Sequence, residues 1–287
     1  MSFNDNAVLT AARGYIFVGP TGTSRPTPNQ VADLDPDTFG AHQYTLAVTG
    51  TPTSGTYTLT IDSKPVAALP LSADLGAIEA AISAVVGSGN VALTGGPLAT
   101  SGVELAFIGK LQGKTVPVTV VSNLEGGTSP EVTVTETAIT NGWAPIGHTS
   151  EGDLPELGFE GGDTEVRNTW QRTGLREVNT DTPFDYMTMK LAQFDASGFQ
   201  FYYGDNASTV EGVFGVDSSV IKPVERALFM LIVDGDLRVG FRAAKASIRR
   251  DESISLATDE FGTLPVRATF IKHPGNHLFE WITPVAA

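Results

Sequence analysis

Short runs of alternating apolar and polar residues, each closed by a turn signal, recur along this 287-residue chain and constrain its fold more than any other feature. Thr56-Tyr57-Thr58-Leu59-Thr60-Ile61 is one such run, closed by Asp62-Ser63-Lys64-Pro65. Val103 to Ile108, Val116 to Val121 and Glu131 to Thr137 are others, with Gly95-Gly96-Pro97 and Gly126-Gly127 among the turns. A period of two sends successive side chains to opposite faces of a sheet, and Gly, Pro and Asp supply the backbone angles that reverse the chain. With 31 Gly, 17 Pro and only 17% charged residues, composition also favours strands and turns over helices. The expected fold class is mainly β.

The texture changes along the chain. Residues 1–40 hold one strand candidate, Gly14 to Val18, and then a Pro-rich connection with Pro20, Pro26, Pro28 and Pro36. A loop that long inside a compact domain often reaches a neighbour, as the N-terminal arm could also do. Residues 41–140 contain no Arg, three Lys (Lys64, Lys110, Lys114) and seven acids, a net charge of −4. Leu75, Ile78, Ile82 and Val85 recur there at helical spacing, with Ser72 as the expected N-cap and Gly87 as the stop. One apolar stripe on one helix implies a small sheet beneath it, hence a self-contained α+β module. Residues 141–287 carry all three Trp and bulkier strands: Thr164 to Arg172, Phe184 to Ala192, Ala227 to Val233, Leu237 to Ile248, Leu264 to Lys272 and Leu278 to Ile282. Asp234-Gly235 predicts a two-residue hairpin turn, and a phase slip after Ala243-Ala244 predicts a β-bulge. Asp195 to Tyr203 reads as a short helix stopped by Gly204.

Charge and chemistry exclude several functions. With 18 Lys and Arg against 32 Asp and Glu, the net charge is −14, which disfavours tight binding to nucleic-acid phosphates or anionic membranes. The longest purely apolar run, Ala227 to Val233, is far short of the ~20 residues that span a bilayer. Met1 to Asn6 lacks the basic and apolar regions of a secretory signal, so synthesis in a cytoplasm is expected. No cysteine is present, so there is no disulfide, thiolate metal ligand or thiol nucleophile. His273 and His277 have zinc-ligand spacing, but Pro274-Gly275-Asn276 between them makes a turn rather than a helix. Asp33, Asp35 and Asp37 begin like a calcium loop, yet Thr38 replaces the required Gly and Tyr44 the bidentate Glu. Arg249-Arg250, beside Asp251-Glu252, reads as a strand-end charge cluster. No catalytic constellation, cofactor site or metal site is expected.

Several blocks resemble one family. Gly14-Tyr15-Ile16-Phe17-Val18-Gly19-Pro20-Thr21-Gly22-Thr23 and Ala32-Asp33-Leu34-Asp35-Pro36 resemble the start of the major tail (tail tube) proteins of long-tailed actinobacterial phages. Trp143 to Gly152 and Gly158 to Met189 resemble the blocks that follow in that family, where the first blocks are near neighbours. Here about a hundred residues separate them. Gly55 to Thr60, Leu69 to Ala73, Ala77 to Ile82 and Val91 to Pro97 resemble a repeat module common in phage and bacterial surface proteins. The expected organisation is therefore a tail-tube domain in two parts, 1–40 and 141–287, interrupted by an inserted α+β decoration domain, 41–140.

The resemblance implies a β-sandwich or barrel with one short flanking helix, assembled as stacked hexameric rings into a hollow conduit for the genome. Its implied partners are copies of itself, a tape measure protein in the lumen, and tail terminator and baseplate or tip proteins. DNA would pass without specific binding, no membrane would be involved, and the location would be the virion tail. An acidic wall would repel DNA, itself carrying about one charge per 1.7 Å of axis. Glu165 and Asp185, on strands of the tube domain, are the candidate lumen-facing acids. The alternatives are a displayed or secreted β-domain adhesin for cell-surface polymers, which predicts saturable glycan binding without filaments, and a capsid cement protein, whose copy number would follow the capsid.

Overall fold

A computed structural model describes residues 8–206, 210, 212–217, 222–256, 258 and 260–283. Most of the N-terminal arm, residues 1–7, lies outside them. The chain forms two compact units, one of residues 1–32 and 146–287, the other of residues 33–145.

The first unit opens with β1 (Arg13–Gly19) and α1 (Pro28–Ala32). The connection between them is packed down rather than reaching outward. Gly22 N donates to Ala244 O at 2.8 Å, Val31 is fully buried, and the Arg242 guanidinium donates to Thr23 O. Arg242 is itself buried and bonds Glu280 (3.1 Å) and Asn276 (2.9 Å), while Arg25 pairs with the same Glu280.

The second unit contains β2 (His42–Thr49), β3 (Ser54–Ile61), β4 (Lys64–Pro65), β5 (Leu69–Pro70), α2 (Leu75–Val86), β6 (Val91–Gly95), α3 (Leu98–Ser101), β7 (Val103–Phe107), β8 (Val118–Glu125), β9 (Glu131–Ala138) and β10 (Ala144–Pro145). One sheet has the order β6-β7-β2-β9; in the other, β3 pairs with β4 and β5 on one side and β8 on the other. Leu46, Leu59, Ile61, Phe107 and Val132 from the two sheets share one core with Ile78 and Ile82 of α2. The unit therefore has two sheets, the long helix α2 and the single-turn α3, more strand than the expected helix over one sheet. The helix cap is Asp74, whose Oδ1 accepts from Ala77 N at 2.8 Å, not Ser72. Leu71 and Ala73 are drawn into the core, which leaves Asp74 as the last residue outside the helix. Both ends of this unit are tied together. Thr140 Oγ1 donates to Gly40 O (2.8 Å), and a Cβ at Gly40 (φ 87°) would lie 1.9 Å from Trp143 O. Only glycine lets the incoming and outgoing segments run this close.

Tyr57 is buried in that core, and its hydroxyl has no hydrogen-bond partner among the described residues. Burial pushes its phenol up to about 12. The unfolded chain loses this proton near pH 10 and the folded chain does not, so the contribution to stability is intact below pH 10 and vanishes as pH rises through about 12. Tyr57→Phe is expected to flatten this alkaline loss and, by removing an unsatisfied hydroxyl, to leave stability at pH 7 equal or higher by about 1 kcal/mol. Denaturant titrations of the full chain at pH 7 and pH 11 measure both.

The first unit resumes with β11 (Glu156–Glu160), β12 (Thr164–Thr169), β13 (Arg172–Asn179), β14 (Phe184–Leu191), α4 (Ala196–Tyr203), β15 (Val224–Asp234), β16 (Leu237–Arg250), β17 (Leu264–Phe270) and β18 (Glu280–Ile282). An antiparallel sheet runs in the order β1-β15-β16-β17-β14-β11, with β18 also on β16. The Asp234 turn is shifted by one residue from expectation: Asp234 pairs with Leu237, and the loop is Gly235-Asp236. Gly235 has φ 58° and Asp236 has none positive, as a II′ turn with glycine first requires. The slip after Ala243-Ala244 is a bulge, because Leu228 faces Ala243 while Arg226 faces Ala246. The main core cluster lies on one face of this sheet, where Met187, Met189, Leu191, Val266, Ala268, Leu228 and Phe241 meet Phe201 and Tyr202 of α4, while Phe17, Phe229 and Leu231 are buried on the other. Asp195 caps α4 by accepting from Gly198 N (2.8 Å), and Gly204 ends it. Phe241 is the hub of an aromatic cluster, 5.0 Å from Trp281, 5.4 Å from Phe270 and 5.5 Å from Phe279 between ring centroids.

Candidate functional site

The expected strand Thr164 to Arg172 is in fact a hairpin. The chain reverses at Trp170-Gln171, so that β12 pairs with β13 as a separate two-stranded sheet. β13 escaped detection because Arg172-Thr173-Gly174-Leu175-Arg176 lacks a clean apolar alternation. The base is locked: Thr180 N donates to Asp163 O (2.8 Å), and Asp163 N to Asp181 Oδ1 (2.7 Å). Near the tip, Gly174 N donates to Asn168 Oδ1. Beyond the base almost every residue is exposed, including Val166, Leu175 and Trp170, the last at 99%.

The hairpin is electrically divided. Its base carries Asp163, Glu165, Glu177 and Asp181. Residues 166–176 carry three Arg and no acid, in a chain of net charge −14. Arg167 stands opposite Arg176, a like-charge pair that destabilises a lone hairpin. Arg167 is relieved by Glu165 at 3.4 Å; Arg172 and Arg176 make no ion pair among the described residues.

β11 is the last strand of the large sheet on its side. Leu157 faces Met187 across the ladder and Phe159 faces Asp185, so both extend the core face of the sheet outward. They are 41% and 75% exposed. An edge strand bearing large exposed apolar side chains is a template for pairing with another chain.

At this end of the sheet, over β14 and β17, the opposite face is polar. The Arg267 guanidinium lies 4.2 Å over the Tyr186 ring and bonds Glu160 (2.7 Å) and Asp251 (2.8 Å), and the bond to Glu160 is the main reason its pKa is raised. Lys190 binds Asp153 at 2.9 Å, which raises its pKa as well. Beside these pairs lies an open groove of about 500 Å³. Asp153, Glu156, Asp251 and Glu252 line it against the single cation Lys190, with Leu154, Pro155 and Pro265 as its apolar part. Glu156 and Glu252 make no ion pair within 4 Å among the described residues.

The two acids singled out from sequence do not share a sheet. Glu165 is on β12 and Asp185 on β14, where alternation puts it on the side of Met187 and Met189. Both flank the base of the hairpin. His273 and His277 lie on a turn, with His273 Nδ1 3.1 Å from Asn276 Nδ2. Asp35 accepts from Asp37 N and Thr38 Oγ1, a local turn. No group of three His, Asp or Glu among the described residues could hold a metal ion. Sequence reasoning passed over the surfaces that stand out here, Phe159 with its edge strand and the arginine-tipped hairpin. The signal for the hairpin was the arginine cluster in an otherwise acidic chain.

The phage tail tube protein family matches residues 117–286. The major tail protein Gp23 of Mycobacterium phage D29 is 49% identical over 141 residues, which are 49% of this chain and 70% of that protein. The protein of the same name from Mycobacterium phage L5 is 48% identical over the same extent. No described helix is long and apolar enough to cross a membrane. A mainly β unit with an open sheet edge, matched over more than half of the chain by one family, identifies this protein: it belongs to the phage tail tube proteins and is a structural component of the virion tail.

Proposed function

We propose that copies of this chain assemble as hexameric rings, that the rings stack, and that the resulting hollow tube conducts the phage genome into the host. The observation that carries this reading is the free β11 edge with Phe159 exposed beside it. Closing a ring of identical subunits removes such edges, and head-to-tail contacts between rings build a filament. The acids around the hairpin base, Glu165 and Asp185 among them, would line the wall, and the net charge of −14 supports a bore that repels DNA rather than holding it. The tape measure protein would occupy the lumen before ejection, and terminator and baseplate proteins the tube ends. Electron microscopy of the purified full-length chain tests this. Hollow filaments or rings are expected; a monomer that binds glycan saturably and never polymerises would favour the adhesin instead.

The unit of residues 33–145 is proposed to decorate the outside of the tube. Its incoming and outgoing segments are bonded to each other through Thr140 and Gly40, as an insertion needs. The aligned 141 residues at 70% coverage put the D29 protein at about 200 residues, shorter than this chain by roughly the size of such a unit. Joining Ala32 to Ile146 through a short Gly-Ser linker is expected to leave polymerisation intact and give filaments of smaller outer diameter. Failure of a folded excised chain to polymerise would make the unit a structural part of the tube.

A further inference from the structure

A lone two-stranded hairpin is marginal in water. This one stands clear of its own subunit, exposes Val166, Trp170 and Leu175, and sets Arg167 against Arg176. Such a tip is stable and useful only when something covers it, and its chemistry specifies what: a surface both acidic and apolar, deep enough for an indole. The groove on the polar face has this character. Its four carboxylates outnumber its cation four to one, two of them make no ion pair among the described residues, and apolar side chains complete its lining. Its volume of about 500 Å³ is ample for one large aromatic ring. We infer that the arginine-tipped hairpin of one subunit docks in the Asp153–Glu156–Glu252 groove of another copy of the chain, Trp170 filling the groove while Arg172 and Arg176 reach Glu156 and Glu252.

This inference rests on the tube reading and adds to it the surface that receives the hairpin. The contact is heterologous, since tip and groove are different surfaces, so it propagates from subunit to subunit instead of closing a pair. Desolvated charges at such a contact set both its strength and its salt dependence.

The test exchanges the charges. The double variant Arg172→Glu/Arg176→Glu converts the like-charge pair across the hairpin into an opposite one, so the hairpin itself is not weakened. It is expected to raise the protein concentration needed for filaments by about tenfold or more. Glu156→Lys/Glu252→Lys is expected to do the same from the other side, and the quadruple variant carrying both exchanges is expected to polymerise again. Because the chain has no cysteine, Arg172→Cys with Glu252→Cys gives an independent readout: a ladder of disulfide-linked multimers under oxidation, seen on non-reducing gels. If the unmodified chain forms no rings or filaments, the tube reading fails. If it forms them and the hairpin variant is unimpaired, the docking alone fails. If the hairpin variant is impaired while the groove variant polymerises normally and no ladder forms, the hairpin seats elsewhere, and the assignment to the groove is overturned.

Discussion

Phe159→Lys is expected to leave the protomer folded and to abolish tube formation at concentrations where the unmodified chain polymerises. Phe159 is 75% exposed on the edge strand, so its loss changes protomer stability by no more than about 0.5 kcal/mol. At a subunit interface the same side chain is a buried aromatic anchor, worth about 2 kcal/mol or more, and a lysine there adds an unpaired charge to an apolar contact. That is about a 30-fold rise in free protomer per contact. Thermal unfolding and sedimentation measure the two effects separately. An unchanged melting temperature with lost polymer is the expected pair; unchanged polymer would remove Phe159 from the interface.

Phe241→Ala is expected to act in the opposite way, through the fold. Phe241 is 1% exposed and stands at the centre of the cluster formed with Phe270, Phe279 and Trp281. Truncating it leaves a cavity that three neighbouring rings cannot all fill, at a cost of about 3–5 kcal/mol. Whole domains are stable by only about 5–15 kcal/mol, so this is a large fraction of the total. For a unit of this size the melting temperature falls on the order of 10 °C, and assembly fails with it. A loss below about 1 kcal/mol in denaturant titration would mean that β18 and the Phe279 segment are not anchored through this ring.

Much of the fold was legible because its signals are local. The strands around Phe17, Tyr57, Leu105, Met187 and Phe241, the α2 stripe of Leu75, Ile78 and Ile82, the Asp195 cap of α4 and the bulge at Ala243-Ala244 all follow from spacing or turn chemistry within a few residues. The misreadings are of two kinds. Ser72 and the Asp234 turn were displaced by one or two residues, where tertiary burial of Leu71 and Ala73, or the positive φ at Gly235, settled the position. β13 and β11 were missed altogether. Arg172 to Asn179 is exposed in the protomer and carries little of the alternation that a core imposes, while Glu156 to Glu160 does alternate, through Leu157 and Phe159, but over only five residues. Glu165 and Asp185 are legible in the sequence only as acids on strands, because alternation alone does not say which face is inward.

The central claim is that identical protomers join at their open sheet edges to build a hollow tube. A helical reconstruction by cryo-electron microscopy of filaments grown from the full-length chain tests it most directly. The account predicts six protomers around an open bore, with β11 of each hydrogen-bonded to a strand of its neighbour. A filament without a bore, or rings in which β11 stays unpaired and Phe159 faces solvent, would contradict it.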